Sequence, residues 1–357
     1  MEHIVFVDGM NLAWKAMHSY DLSTSSGVNT SAIYGFFSQL ISSLNGKRIK
    51  TIVVWDGGYI ERTKMSEEGM QKGFIKKSYK SDRGTVHEEH KKDPKLSTMN
   101  DQVRCIQEIL DTTDIRQIKI DGQEADDVIA SYCEKIKHKF SVLCLTCDHD
   151  YYQILDDNVS ILNRWKGQES VFTKQSFVKD YGVEPYQWIE VGALCGDDSD
   201  SIEGVPGCGE ETALKYIKQY HTANDLIAAM SAKFDAIRVN CPDLQTQNEV
   251  EELMLRGGIR GKSSTFDGCY IRMPFSGVAM ALVKEEIKKI SKIELKFAMY
   301  QERIRLAHKL KTMNRQLNIP NIFFKPNFNK NGFSSLCEKY EIKAFADKTE
   351  IFNLKEA

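Results

Sequence analysis

His3-Ile4-Val5-Phe6-Val7-Asp8 opens the chain as a short, continuously apolar run that ends on an acid. Two later stretches have the same form. Thr51-Ile52-Val53-Val54-Trp55 is followed by Asp56, and Ser141-Val142-Leu143-Cys144-Leu145-Thr146 by Cys147 and Asp148. Runs this short, β-branched and apolar throughout predict strands covered on both faces. Between them, apolar residues recur at helical spacing over 32–44, 103–110 and 128–136. The alternation predicts an α/β fold: a mainly parallel central sheet with helices on both faces. Ligands of such sheets bind beyond the carboxyl ends of the strands. One Asp after a strand is ordinarily a turn residue or a helix cap. Three delivered to the same edge point to a site.

At 357 residues the chain holds one large domain or two modest ones. Its 48 basic and 50 acidic side chains give a net charge of −2, which does not by itself announce a nucleic-acid binder. Their distribution is more informative: acids cluster in motifs, while Lys and Arg gather in 62–95 and 285–330. No apolar run reaches the roughly 18 residues of a membrane span. The N-terminus is too short and too acidic for a signal peptide, and nine scattered cysteines fit reduced thiols, so a cytoplasmic protein without a membrane partner is expected. Residues 59–98 are polar, rich in Lys and without sustained periodicity, too long for an ordinary connection. Residues 183–235 read as helical, 240–300 resist reading, and a basic helical pattern resumes over 285–317.

Three further acidic groups join the strand-end aspartates. Glu124-Ala125-Asp126-Asp127 precedes an apolar helix, and Glu124 and Asp127 share its face. Helix capping would need one of these carboxylates, not three. In Asp148-His149-Asp150 two carboxylates leave a strand end together, with a helix cap at Asp150 as the bland alternative. Gly196-Asp197-Asp198-Ser199-Asp200 lacks the length and terminal Glu of an EF-hand loop. So many carboxylates in one cleft would repel and take up protons. Mg²⁺ or Mn²⁺, which prefer oxygen ligands, resolve this, and two such ions stabilise both the attacking and leaving oxygens of a phosphodiester. No nucleophilic triad is evident.

Gly204-Val205-Pro206-Gly207-Cys208-Gly209 precedes a predicted helix carrying Lys215. The glycines allow a tight turn, and the helix offers free N–H groups to a phosphate; a plain turn between helices is the alternative. Lys76-Lys77-Ser78-Tyr79-Lys80-Ser81-Asp82-Arg83 mixes cations with an aromatic, as strands of nucleic acid require, although a solvated basic face is the usual fate of such a run. Two look-alikes are set aside. Gly257–Ser263 has Arg256 where a P-loop needs its first Gly. Cys144-Leu145-Thr146-Cys147 has no partner pair and reads as core cysteines.

Taken in order, Val7-Asp8-Gly9-Met10-Asn11, Trp55-Asp56-Gly57, Tyr79-Lys80 with Arg83, Glu124-Ala125-Asp126-Asp127, Asp148-His149-Asp150 with Gln153, Gly196-Asp197 through Asp200 and the 204–209 glycines resemble the flap endonuclease / 5′→3′ exonuclease family. The likeness is greatest to the bacteriophage enzymes and the nuclease domain of bacterial DNA polymerase I, and it covers most of 1–235. It implies a PIN-like nuclease core over 1–200, with a helical arch at 59–98. It implies a helix-hairpin-helix region over 201–357 with a closing helix near 336–345; the insertion at 240–300 departs from the smaller family members, and its Arg256, Arg260 and Lys262 are candidates to extend duplex contact. One metal group would comprise Asp8, Asp56, Asp126 and Asp148, with Glu124 and Asp127 in support; Asp150, Asp197 and Asp200 would form the second. Lys80 and Arg83 would contact the scissile phosphate, and Tyr79 would stack on a nucleotide. Lys76, Lys77, Gly204, Gly207, Gly209 and Lys215 would grip DNA, with K⁺ at the hairpin. Ser201 departs from the Asn common in the family.

The expected enzyme is a monomeric, Mg²⁺-dependent 5′ nuclease, with Mn²⁺ as substitute, acting on branched, nicked or 5′-flapped duplex DNA. RNA–DNA hybrids and primer removal stay open. A PIN-type ribonuclease acting on single-stranded RNA is the alternative; an Asp-x-Asp phosphatase or a non-enzymatic DNA-binding module fits less well.

Overall fold

In a computed structural model the first apolar run forms strand β1 (Glu2–Asp8), the centre of a six-stranded sheet. The structure describes residues 2–44, 49–82, 92–165, 168–238, 241, 243–255, 291–324, 326–348 and 352–353. β1 pairs in parallel with β2 (Lys50–Trp55) on one side. On its other side lies β4 (Phe140–Leu145), also parallel. The sheet is completed by β3 (Arg116–Lys119), β5 (Val159–Trp165) and an antiparallel β6 (Gln168–Phe172), in the order β3-β2-β1-β4-β5-β6. The strand order reverses about β1, where an α/β sheet opens its binding crevice. The three strands ending in aspartates are therefore neighbours at that point.

Alternation along β1 explains its unbroken apolarity. Val5 and Val7 join a core formed by α1 (Gly9–Ser19), α2 (Ser31–Leu44) and α4 (Met99–Asp111). Phe6 faces the opposite way and stacks on Tyr132 of α5 (Ala125–Ile136), centroids 5.5 Å apart. Both faces are thus covered by helices, as the sequence predicts. Part of 59–98 is regular after all: α3 spans Ile60–Gln71, a polar helix without the apolar stripe that periodicity detects. Arg83 and the rest of 83–91 lie outside the described residues, as do Arg256, Arg260, Lys262 and the 257–263 look-alike.

The chain forms two compact units. The first comprises 1–64, 80–188 and 312–357, and the second 65–79 and 189–311. This differs from a division after residue 200. The acidic segment 196–203 is not helical but a two-stranded ribbon, Gly196–Asp197 with Ile202–Glu203, inside the second unit. The C-terminal segment belongs to the first unit because its apolar residues complete that core: Phe333, Cys337, Phe345 and Phe352 are buried with Val53, Trp55 and Phe37. The expected closing helix is Lys330–Lys339, then a separate turn at Lys343–Phe345, interrupted where Glu341 takes a φ of 53°. Phe333 is fully buried. Phe333→Ala is expected to destabilise the first unit by about 3–5 kcal/mol, read from the urea midpoint; a loss below about 1 kcal/mol would mean that the segment is dispensable.

The second unit is helical, with Glu210–Tyr220, Ala223–Arg238, Leu244–Leu255, Lys292–Met299 and Gln301–Lys311. Among the described residues no helix is long and apolar enough to cross a membrane.

Candidate metal centre

Asp8 ends β1 and caps α1, its Oδ1 accepting the Asn11 N–H at 3.0 Å. Its Oδ2 accepts the Tyr151 hydroxyl at 3.2 Å. Asp56 leaves β2, and its Oδ1 accepts the Ala125 N–H at 2.9 Å, joining that strand end to the first turn of α5. Backbone bonds from Gly57 to Gln123 (2.8 Å) and Gly122 to Gly57 (2.9 Å) fix the same junction. Only glycine fits at 57, since a Cβ there would lie 1.9 Å from the Ile120 carbonyl oxygen. Asp148 follows β4, and its neighbour Cys147 donates its N–H to Asn11 Oδ1 at 2.9 Å. The short helix after it, His149–Ile154, is capped by Asp148, not Asp150: Oδ1 accepts the Asp150 N–H at 2.9 Å. The cap falls where the strand chain is still extended, two residues before the sequence alternative.

These placements gather Asp8, Asp56 and Asp148 at one edge. Burial, then the negative charges of Asp56 and Asp148, push the Asp8 carboxyl up to about 7. Asp126 is also pushed well above the carboxylate range, by burial first, while the Arg62 charge pulls it down and Asp127 and Glu124 push it further up. The Tyr151 hydroxyl feels the same field, raised by burial and by Asp8, Asp126 and Asp148.

Folded Asp8 keeps its proton up to about pH 7, whereas an unfolded Asp releases it near 4. Between these values the folded state holds the extra proton, so this group's contribution to stability falls as pH rises. Relative to Asp8→Asn, the metal-free wild type is expected to lose up to about 1.4 kcal/mol per pH unit from pH 4 to 7, and Mg²⁺ is expected to flatten the difference. Urea denaturation of both proteins in EDTA and in Mg²⁺ checks this. A wild-type advantage that grows with pH in EDTA would contradict it.

The other two acids of the 124–127 turn are not open to solvent. Arg62, buried, places Nη1 on Glu124 Oε2 and Nη2 on Asp127 Oδ1, the latter at 2.7 Å. Lys80 Nζ takes Glu124 Oε1. Against the upward push of burial, the Lys80 and Arg62 charges hold Glu124 below its ordinary value. Asp127 Oδ1 also accepts the Asn314 N–H at 2.7 Å.

In the second unit, Asp197 Oδ1 accepts the Ser199 N–H (2.8 Å) and hydroxyl (2.6 Å), and Oδ2 accepts Lys311 Nζ at 2.6 Å. Despite burial, the Lys311 charge and these bonds bring Asp197 down to about 2. Asp200 Oδ2 accepts the Tyr79 hydroxyl at 3.0 Å. The stacking role expected of Tyr79 does not survive: its ring is 4% exposed and packed with Ile202, Ala307 and Leu310. An aromatic in a basic run had looked like a base platform, but its apolar ring found a core instead. Lys76 and Lys77 are exposed, and their backbone N–H groups donate to Glu203 Oε1.

Gly204 passes so close to Cys195 that a Cβ would lie 2.4 Å from its carbonyl oxygen. Gly207 has a φ of 82°, Gly209 caps Glu210–Tyr220, and Lys215 projects from that helix, exposed. The Pro206 carbonyl accepts from Lys296 Nζ. Asp150 lies in the first unit, Asp197 and Asp200 in the second. Of the two cysteines set aside, Cys144 is in the core; Cys147 lies beyond the strand, its Sγ 2.8 Å from Lys15 Nζ. Arg62, Tyr151, Lys311 and Asn314 escaped sequence reading. Arg62 and Lys311 sit in its two basic stretches, whereas Asn314 acts through its backbone and leaves no signal.

The 5′-3′ exonuclease N-terminal resolvase-like domain matches residues 3–182, and the 5′-3′ exonuclease C-terminal SAM fold matches 183–254. The chain belongs to the 5′-3′ exonuclease family. A 5′-3′ exonuclease of Aquifex aeolicus is 31% identical over 231 residues, 64% of this chain and 73% of that one. The thermostable DNA polymerase I of Thermus thermophilus is 31% identical over 227 residues, 63% of this chain but 25% of the polymerase. The chain thus spans about a quarter of the length of the polymerase relatives it matches. In fold it is similar to the bacteriophage T5 D15 flap endonuclease solved with DNA and metal ions, with a TM-score of 0.55 and 17% identity over 98% of this chain and 99% of that one. Family membership favours the exonuclease over the ribonuclease reading of the acids.

Proposed function

We propose that this chain is a divalent-metal-dependent 5′ nuclease that hydrolyses phosphodiesters at the 5′ side of flapped, nicked or branched duplex DNA. The observation that carries the reading is the gathering of Asp8, Asp56, Asp126 and Asp148 at the switch point of a parallel sheet, two of them with strongly raised affinity for protons. Carboxylates that hold protons in the absence of a cation are those a cation would charge. The donors are all oxygen, which fits hard ions such as Mg²⁺ or Mn²⁺. Asp8, Asp56, Asp126 and Asp148 would hold one ion; Asp150, Asp197 and Asp200 are the residues proposed for a second. When bound, two such ions stabilise the charge on the attacking and leaving oxygens.

The chain's own residues supply the rest. Tyr151 fixes the Asp8 carboxylate by its hydroxyl. Lys80, with Arg83, would offset charge on the phosphoryl group. Asp127 anchors Arg62 and accepts Asn314, so its part is to hold the turn in place. Lys76, Lys77, Lys215 and the 204–209 turn would take duplex phosphates, with K⁺ at the hairpin; one carbonyl there, that of Pro206, already accepts from Lys296. The proposed protein works as a monomer in the cytoplasm, the host's if the chain is a phage's, and RNA–DNA hybrids fall within its substrate range.

A labelled series of 5′ flap, nick, RNA–DNA hybrid and single-stranded RNA, with Mg²⁺ or EDTA, tests the proposal. Mg²⁺-dependent release from the flap and nick is expected. Cleavage of single-stranded RNA with refusal of flaps would replace it by the ribonuclease reading, and cleavage in EDTA would remove the metal.

A further inference from the structure

The acidic turn presents three carboxylates, Glu124, Asp126 and Asp127, with one oxygen of each within 4.8 Å of the others. It has the outline of a metal site. We infer that its resident cation is instead Arg62, a positioning residue whose guanidinium takes Glu124 and Asp127 out of metal coordination and leaves Asp126 as the turn's one ligand. The inference rests on the proposed metal-dependent reading and specifies which acids serve it.

The guanidinium spans two residues three apart on the helix, Nη1 on Glu124 Oε2 and Nη2 on Asp127 Oδ1 at 2.7 Å. Nη2 also donates to the Thr312 carbonyl at 3.2 Å, which fixes the plane of the fork. Nη1 stays 3.8 Å from Asp126 Oδ1, in reach as a charge but not as a hydrogen bond. Lys80 holds the remaining Glu124 oxygen, so both oxygens of Glu124 carry a cationic donor. Asp127 Oδ1 is shared between Arg62 and the Asn314 N–H. The Asp126 side chain is 19% exposed, against 5% for Glu124 and 10% for Asp127. Arg62 and Lys80 thus meet Glu124 and Asp127 at hydrogen-bonding distance, while Arg62 reaches the more exposed Asp126 only at 3.8 Å. A lysine at 62 would supply the charge but not the planar fork that reaches both carboxylates.

Mn²⁺ binding to the DNA-free protein, followed by calorimetry and by the Mn²⁺ electron paramagnetic resonance signal, separates the roles. Asp126→Asn is expected to weaken binding at least about tenfold more than Glu124→Gln does, the difference between a ligand and a group outside the coordination shell. Equal losses would overturn the inference. Arg62→Met should free two carboxylates and bind one extra Mn²⁺, with kcat down about 10–100-fold and flap affinity in Ca²⁺ unchanged. Arg62→Lys should recover part of kcat; unchanged stoichiometry in Arg62→Met would count against the assignment. Should Arg62→Met fail to fold, the variant Arg62→Met/Glu124→Gln/Asp127→Asn removes the charges with their cation. It is expected to fold and to bind Mn²⁺ within about threefold of wild type, and a loss of about tenfold or more would sink the idea. A protein that shows this binding pattern yet cuts no flap would overturn the proposed activity and keep this inference; equal losses in a flap-cutting enzyme would do the reverse.

Discussion

Asp126→Asn is expected to slow flap cleavage at saturating Mg²⁺ by about a thousandfold or more. The side chain keeps its size and one oxygen but loses the charge that a hard cation needs. Lewis-acid stabilisation by a bound ion is worth several kcal/mol, and about 4 kcal/mol is a factor of a thousand. Binding of the flapped duplex in Ca²⁺ should change by less than about threefold, because phosphate contacts by Lys and Arg carry that affinity. Single-turnover rates and fluorescence anisotropy measure the two quantities. Cleavage within about tenfold of wild type would remove Asp126 from the centre. Asp126 is the informative choice because its neighbours already have partners in Arg62 and Lys80.

Lys80→Ala should cost about 10²–10³ in kcat with a much smaller loss of affinity, as when one preorganised donor to a transition state is removed. Without DNA the ammonium rests on Glu124, 5.3 Å from the centre of the Tyr59 ring, on a backbone with a φ of 55°. In the proposed reaction a lysine held so near the acids would offset charge on a phosphoryl oxygen. Matching losses of kcat and flap affinity would reduce Lys80 to a phosphate anchor. Retention of charge in Lys80→Arg should restore part of the rate, read in the same single-turnover assay.

The sheet was legible because each of its central strands is covered twice. Covering both faces of β1 requires Ile4 to Val7 to be apolar without a gap, and an unbroken run is easy to read. The edge strand β3, Arg-Gln-Ile-Lys, has no such demand on it and left no pattern. The acids were legible because three strand ends repeat one motif. Their order of importance was not, since it depends on side chains brought from far along the chain. Arg62 reaches Glu124 and Asp127 across 62 and 65 residues. Tyr79 shows the opposite failure: its composition suits nucleic acid, but only the tertiary structure decides whether a ring faces a base or a core. The 196–203 ribbon was read as helix because two-residue strands are too short to display a period of two.

The bond from the Asn314 N–H to Asp127 has a consequence for synthesis of the protein. Its partners are 187 residues apart. At translation rates of about 5–20 residues per second, Asp127 is made roughly 10–40 s before Asn314. During that interval β1, β2 and β4 are already available to pair, while the carboxylate beside Arg62 lacks its backbone donor and the core lacks Phe333 and Phe352. Closing so long a loop is slow, and the exposed apolar face of α2 is a target for aggregation or chaperone binding until the last segment docks. A nascent chain stalled at residue 300 would therefore carry Asp8, Asp56, Asp126, Asp148 and Asp150 and is still expected to be open to protease.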